Sequence, residues 1–241
     1  MPVLLGSVLI DYISLSIVVP MLPFYAKSFG ASPFEVGLLL GLYSLMSLFA
    51  PPIWGGMSDR VGRRPALLLN VAGTGLSYLW LGFADSLWML FGARILAGIT
   101  GASIVIARSY VSDISESEER TQNLGYLEAA MGIGFVLGLA IASISIGSDP
   151  ENPNFRLACL IAVGVSLLTL SVGFFALPKT RIRTSQKILE ATPNLTQFLT
   201  EAIATLKRPL VGQLMGLIFL LTLTGMGVQG IFALWCEARF G

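Results

Sequence analysis

Gly55-Gly56-Met57-Ser58-Asp59-Arg60-Val61-Gly62-Arg63-Arg64-Pro65 places one acid and three arginines in a short turn between two long apolar runs. Gly55 and Gly56 permit close helix approach, and Gly62 supplies a turn conformation that a side chain would resist. Pro65 suits the first turn of a following helix. Asp59 falls near the end of one expected helix and the arginines near the start of the next, the wrong sign for the helix dipole at both ends. These charges therefore need partners from elsewhere. A simple positively charged hairpin accounts for the arginines but not for the order Gly-x-x-x-Asp-Arg-x-Gly-Arg-Arg.

Outward from this turn the chain is built for lipid. Of its 241 residues 12% are charged and 54% apolar, against about 25% charged in soluble domains. A spanning helix needs roughly 20 mostly apolar residues. Seven stretches qualify, at about Val3–Phe24, Val36–Trp54, Pro65–Phe83, Leu87–Arg108, Asn123–Gly147, Phe155–Leu177 and Leu210–Trp235. A span must satisfy its own backbone hydrogen bonds, so these are read as helices; they lack the short alternating segments of a β-barrel. The expected fold class is an all-α membrane protein. Residues 1–177 form a six-helix unit, 178–209 a cytoplasmic linker, and 210–241 a seventh transmembrane helix. In the linker, Leu195, Phe198, Leu199, Ile203 and Leu206 recur at helical spacing, which fits either an amphipathic helix on the membrane surface or a flexible connection with a helical turn.

Basic residues set the orientation. With the N-terminus in the cytoplasm, the inner side holds Arg60, Arg63, Arg64, Arg108, Arg120, Lys179, Arg181, Arg183, Lys187, Lys207 and Arg208, and the outer side Lys27, Arg156 and Arg239. The first apolar stretch lacks a basic leader, contains Asp11 and shows no clear small-residue cleavage site, so it is read as a span rather than a signal peptide. Net charge is +1, there is no histidine, and Cys159 and Cys236 sit in apolar runs. These features argue against a nucleic-acid partner, a disulfide framework, a metal site or a cofactor. The sequence contains no nucleophile–base pair or nucleotide loop that would suggest an enzyme.

The turn at 55–65 resembles motif A of the major facilitator superfamily, and it lies between spans two and three as it does there. The resemblance implies that Asp59, Arg60 and Arg63, with Gly55, Gly62 and Arg64 in the same motif, form a cytoplasmic gate that holds the inner side shut. Arg94-Ile95-Leu96-Ala97-Gly98-Ile99-Thr100-Gly101 in span four resembles motif B, whose arginine faces the central cavity and is linked to proton transfer. Arg94 lies roughly 10 Å from the outer end at 1.5 Å per residue, and snorkelling would be the alternative reading. Gly98 and Gly101 allow a neighbouring helix to approach. Tyr110-Val111-Ser112-Asp113-Ile114-Ser115 with Glu118-Glu119-Arg120 resembles the loop after span four in drug:proton antiporters, particularly tetracycline exporters. It implies gate roles for Asp113 and Arg120; the glutamates fit a solvated turn equally well. Span five keeps the packing glycines Gly125, Gly134 and Gly138 of the antiporter motif C. It departs from that motif at Leu139, where the pattern has a helix-bending proline, and at Ala142-Ser143, where it has paired glycines.

Two acids remain in spans, and intramembrane acids are functional hypotheses by default. Asp11 shares a helical face with Ser7 and Ser14, and its helix resembles the opening helix of drug:proton antiporters, where an aspartate matters for transport. Glu128 matches no motif and reads either as a proton-coupling group or as a residue reaching the inner interface. The resemblance implies a six-helix half of two three-helix inverted repeats, with the seventh helix opening a second half that lies beyond this stretch. The expected function is proton-coupled export of a small amphipathic, drug-like compound by alternating access, from a multi-pass position in the plasma (inner) membrane. Asp11, Arg94 and Glu128 would couple protons at the central cavity, and Gln229 is a candidate substrate contact. Two alternatives stand beside it. One is proton-coupled or facilitative uptake of a small nutrient; the other is a fragment or binding subunit that transports nothing.

Overall fold

The computed structural model describes residues 1–147 and 153–177, together with residues 212–214, 216–217, 220–221, 224 and 239. The expected linker, most of the expected seventh helix and Gln229 lie outside the described residues. The chain divides into two units, Met1–Thr184 and Ser185–Gly241, and the helices below belong to the first. They are α1 (Pro2–Val18), α2 (Leu22–Ser28), α3 (Pro33–Val61), α4 (Arg63–Gly82), α5 (Leu87–Thr100), α6 (Ser103–Ile114), α7 (Arg120–Ile146) and α8 (Phe155–Ala176).

Among the described residues, five helical stretches are long and apolar enough to cross a membrane: Pro2–Ser28, Pro33–Val61, Leu87–Ile114, Arg120–Ile146 and Phe155–Ala176. The expected third span is α4, whose 20 residues reach about 30 Å at 1.5 Å per residue. Asn70, Ser77 and Tyr78 dilute its apolarity, and all three are buried. These three polar side chains of α4 thus face other helices rather than the outside of the bundle. Phe34, Trp88, Ile144 and Phe175 are highly exposed, as expected for side chains meeting hydrocarbon.

Local sequence explains the helix ends. Ser32 and Glu35 form a reciprocal capping box at the start of α3, with the Ser32 N–H donating to Glu35 Oε2 at 2.7 Å; such a box satisfies two otherwise orphaned donors. Asn154 caps α8 by accepting the Leu157 N–H at 3.0 Å. Pro20 has no N–H to continue the ladder, and the first span divides there into α1 and α2. The fourth span divides at Gly101 and Ala102. The fifth span, α7, is one uninterrupted helix through Leu139, in keeping with the missing proline.

α1 packs on α7 and α8, α4 on α5 and α8, and α3 on α5. Two apolar cores result. One gathers Ile17, Met21, Leu22, Leu81, Leu90 and Ala158; the other gathers Leu4, Val8, Leu67, Ile106, Tyr110 and Leu127. Asp11 lies between these sets along α1, and a cavity opens at that level.

Gly134 and Gly138 bring α7 onto α1. A Cβ at Gly134 would meet the Leu9 carbonyl and Tyr12, and one at Gly138 would meet Ser16 and the Ile13 carbonyl. Gly98 does the same for α5 against α3, where an added Cβ would come within 2.8 Å of the Tyr43 carbonyl. Gly125 and Gly55 depart from the expected close packing: an added Cβ at either finds nothing within 4 Å among the described residues. Gly125 lies near the start of α7, on its exposed side.

Candidate functional site

The cavity has a volume of about 130 Å³ and is walled by α1, α3, α4, α5 and α6. Asp11 and Arg94 both line it, although they lie on different spans. Asp11 is 9% exposed. Its Oδ2 accepts a hydrogen bond from the Ser103 hydroxyl at 2.7 Å, while its backbone carbonyl accepts from Ser14 at 2.7 Å. Ser7 and Ser14 are buried with Asp11, so the polar face read from the sequence points into the bundle.

Arg94 is 2% exposed, which rules out a snorkelling position. Its guanidinium stacks over the Tyr43 ring at 5.1 Å. Among the described residues, its Nε and Nη2 have no hydrogen-bond acceptor, and the Tyr78 hydroxyl is likewise buried without a partner. Gly101 lets the Tyr43 hydroxyl come close, since an added Cβ would lie 3.1 Å from that oxygen. Nearby, Thr74 and Thr100 face each other at 3.3 Å between α4 and α5.

Glu128, expected at the central cavity, is not among the residues that line this pocket. It pairs with Arg108 at 2.6 Å, and the two side chains are 50% and 53% exposed. Its position toward the start of α7, opposite Arg108 on α6, turns it to the open surface of the bundle. Ser103, Tyr43 and Tyr78 were not singled out by sequence. Ser103 carries no sequence signal of its own, because hydropathy runs on across the break at Gly101 and Ala102. The two tyrosines carry no spacing signal that separates a cavity wall from a packed core.

The turn at 55–65 has the partners its charges require. Gly62 adopts φ +97°, and its N–H donates to the Ser58 carbonyl at 3.1 Å. Arg63 reaches Asp59 at 2.5 Å and Asp113 at 2.7 Å, and also donates to the Ser58 hydroxyl at 2.6 Å. One arginine thereby joins the ends of α3, α4 and α6. Arg64 donates to the Phe174 carbonyl and lies 5.7 Å from the Phe174 ring, tying α4 to α8. Arg120 donates to the Ser112 carbonyl at 3.0 Å, linking α7 to α6. Arg60 is exposed. Among the described residues there is no cluster of three or more His, Cys, Asp or Glu side chains that could hold a metal.

The family model of the Major Facilitator Superfamily matches residues 4–236. The chain belongs to the major facilitator superfamily. It is 34% identical over 97% of its length to a class B tetracycline resistance protein of Escherichia coli, covering 57% of that protein. It is 23% identical over 99% of its length to multidrug resistance protein 2 of Bacillus subtilis (strain 168), covering 58%. Among solved structures, a human organic anion transporter superposes with a TM-score of 0.65 at 22% identity, over 75% of this chain and 48% of the other. A D-xylose–proton symporter superposes with a TM-score of 0.52 at 20% identity, over 88% of this chain and 53% of the other; these two likenesses bear on the fold. The chain spans a little over half the length of the curated relatives it matches.

Proposed function

We propose that this chain carries the N-terminal half, and the opening of the second half, of a proton-driven exporter of small amphipathic compounds. It works by alternating access in the plasma (inner) membrane, with its N-terminus in the cytoplasm. The observation that carries this reading is the placement of Asp11 and Arg94 in one buried cavity, in a chain similar to resistance proteins. An acid at mid-membrane gains and loses a proton as access changes sides, because a low-dielectric surround disfavours a bare charge. Arg94 places a positive charge on the wall of the same cavity. Proton release and substrate capture then compete for the same cavity state. Moving one charge across 100 mV is worth about 2.3 kcal/mol, enough for useful accumulation per proton. The Asp59–Arg63–Asp113 network serves as the inner gate, since opening that end separates helices which Arg63 joins.

The test is efflux driven by an imposed proton gradient in proteoliposomes that hold the chain together with a supplied C-terminal half. Export is expected to follow the gradient and to be lost in Asp11→Asn. Uptake along the gradient with Asp11 dispensable would overturn the proposal. One observation favours uptake by symport: α7 runs unbroken through Leu139, without the proline of the antiporter pattern. Reversing the gradient in the same vesicles separates the two directions.

A further inference from the structure

We infer that the mid-bundle cavity binds one small anion, with Arg94 as the charge that holds it and Tyr78 as a second donor. The anion is either a free halide-sized ion or the acidic group of a bound substrate. Arg94 is a cation almost wholly removed from solvent. Burying an ion costs several kcal/mol, and an aromatic face such as that of Tyr43 returns about 0.5–2 kcal/mol. The difference calls for negative charge. At 2% exposure the guanidinium meets almost no outside solvent, and the open space beside it is the cavity it lines with Asp11.

The two nitrogens without acceptors among the described residues are Nε and Nη2. They form one edge of the guanidinium, and their parallel N–H groups make the fork that carboxylates bind side-on. The buried Tyr78 hydroxyl, also without a partner among the described residues, lines the same cavity. Arg94 and Tyr78 thus bring donors without partners among the described residues to the walls of one cavity. Its size decides what fits: about 130 Å³, against roughly 300–1,000 Å³ for pockets that hold drug-sized ligands. At about 30 Å³ per water, an anion and two or three waters fill it. A whole amphipathic substrate would extend beyond it, leaving at most its acidic group inside.

Asp11 is the competing source of negative charge. Its Oδ2 is engaged by Ser103 at 2.7 Å rather than by the Arg94 fork. A charged Asp11 still repels an anion in the same cavity, so neutralising that residue strengthens anion binding.

The experiment is thermal unfolding of the full chain in detergent, titrated with sodium bromide, sodium acetate or sodium gluconate at constant ionic strength. A ligand that binds only the folded state raises the midpoint in proportion to its saturation. Bromide or acetate should raise it saturably, and gluconate, too large for the cavity, should not. Arg94→Gln should abolish the effect. Tyr78→Phe should raise the half-saturating concentration about tenfold, the scale of one hydrogen bond to a charged group, and Asp11→Asn should lower it. Bromide acting alone identifies a free ion as the occupant; acetate binding more tightly identifies a substrate's acidic group. Three coincident salt curves in the wild-type chain would overturn the inference. So would a saturable effect that survives Arg94→Gln or, should that variant not fold, half-saturation unmoved in both Tyr78→Phe and Asp11→Asn. No gradient is involved, so this result stands or falls separately from export.

Discussion

At the α3–α4 turn, Arg63 holds two carboxylates within 2.7 Å, and both carboxylates are substantially open to solvent. In mid-bundle, Arg94 is sealed from solvent and rests on a tyrosine ring. The same residue type is handled in opposite ways. Arg63 itself is 16% exposed, but its carboxylate partners are open; pairs on the solvent side are worth about 0–1 kcal/mol, so the turn can break and remake its contacts at little cost to stability, as the proposed gate requires. A buried arginine imposes a standing cost of several kcal/mol, which is tolerable only if the charge performs work. Stability and function are therefore expected to separate between the two regions.

The sharpest test of that separation is Asp11→Asn. Gradient-driven efflux should fall to background while the unfolding midpoint stays near wild type; a large loss of stability would make Asp11 a packing group instead. Gly138→Val should act in the reverse sense. Its side chain would collide with Ser16 and the Ile13 backbone, and overpacking of this kind costs about 1–3 kcal/mol, readable as a lower midpoint and a reduced folded yield. Arg63→Gln should reduce efflux severalfold yet change stability by no more than about 1 kcal/mol. Strong unfolding of that variant would show the network to be structural. Glu128→Gln breaks only a half-exposed pair, so efflux should remain within about threefold of wild type and stability within about 1 kcal/mol. Complete loss of efflux would return Glu128 to the coupling machinery. Gly125→Ala should be the mildest change, a gain of up to about 1 kcal/mol from better helix propensity at an open position.

What was legible in the sequence follows physical lines. Spans are legible because lipid demands long apolar runs, and Gly62 because few side chains accept its φ. Asp59 and the arginines announced their need for partners through unfavourable dipole placement, and Arg63 found Asp59 and Asp113. Asp11 and Arg94 stood out because charges are rare in spans. Spacing along a helix does not tell which facing residue completes a pair, so Ser103 and Tyr78 went unmarked. Glu128 was ambiguous for a related reason: an acid a few residues inside a helix end can turn inward or outward, and spacing alone does not reveal its pairing with Arg108 on α6. Gly125 belonged to a regular glycine series, but only Gly134 and Gly138 fall on the face that meets α1. The division of span four was hidden because hydropathy continues across it.

That division sits between Arg94 on α5 and Ser103 on α6. At Gly101 the backbone leaves the helical conformation (φ −81°, ψ 41°), and its N–H reaches only the Gly98 carbonyl, at 3.4 Å. A straight helix would have to rupture its hydrogen-bond ladder in order to bend. Here the ladder is already interrupted, so α5 and α6 can tilt against each other without that penalty. Such a tilt changes the distance between the arginine and the serine that holds Asp11. A joint midway along one span thereby becomes a lever, converting a change of helix direction into a change in the electrical surroundings of a single carboxyl group.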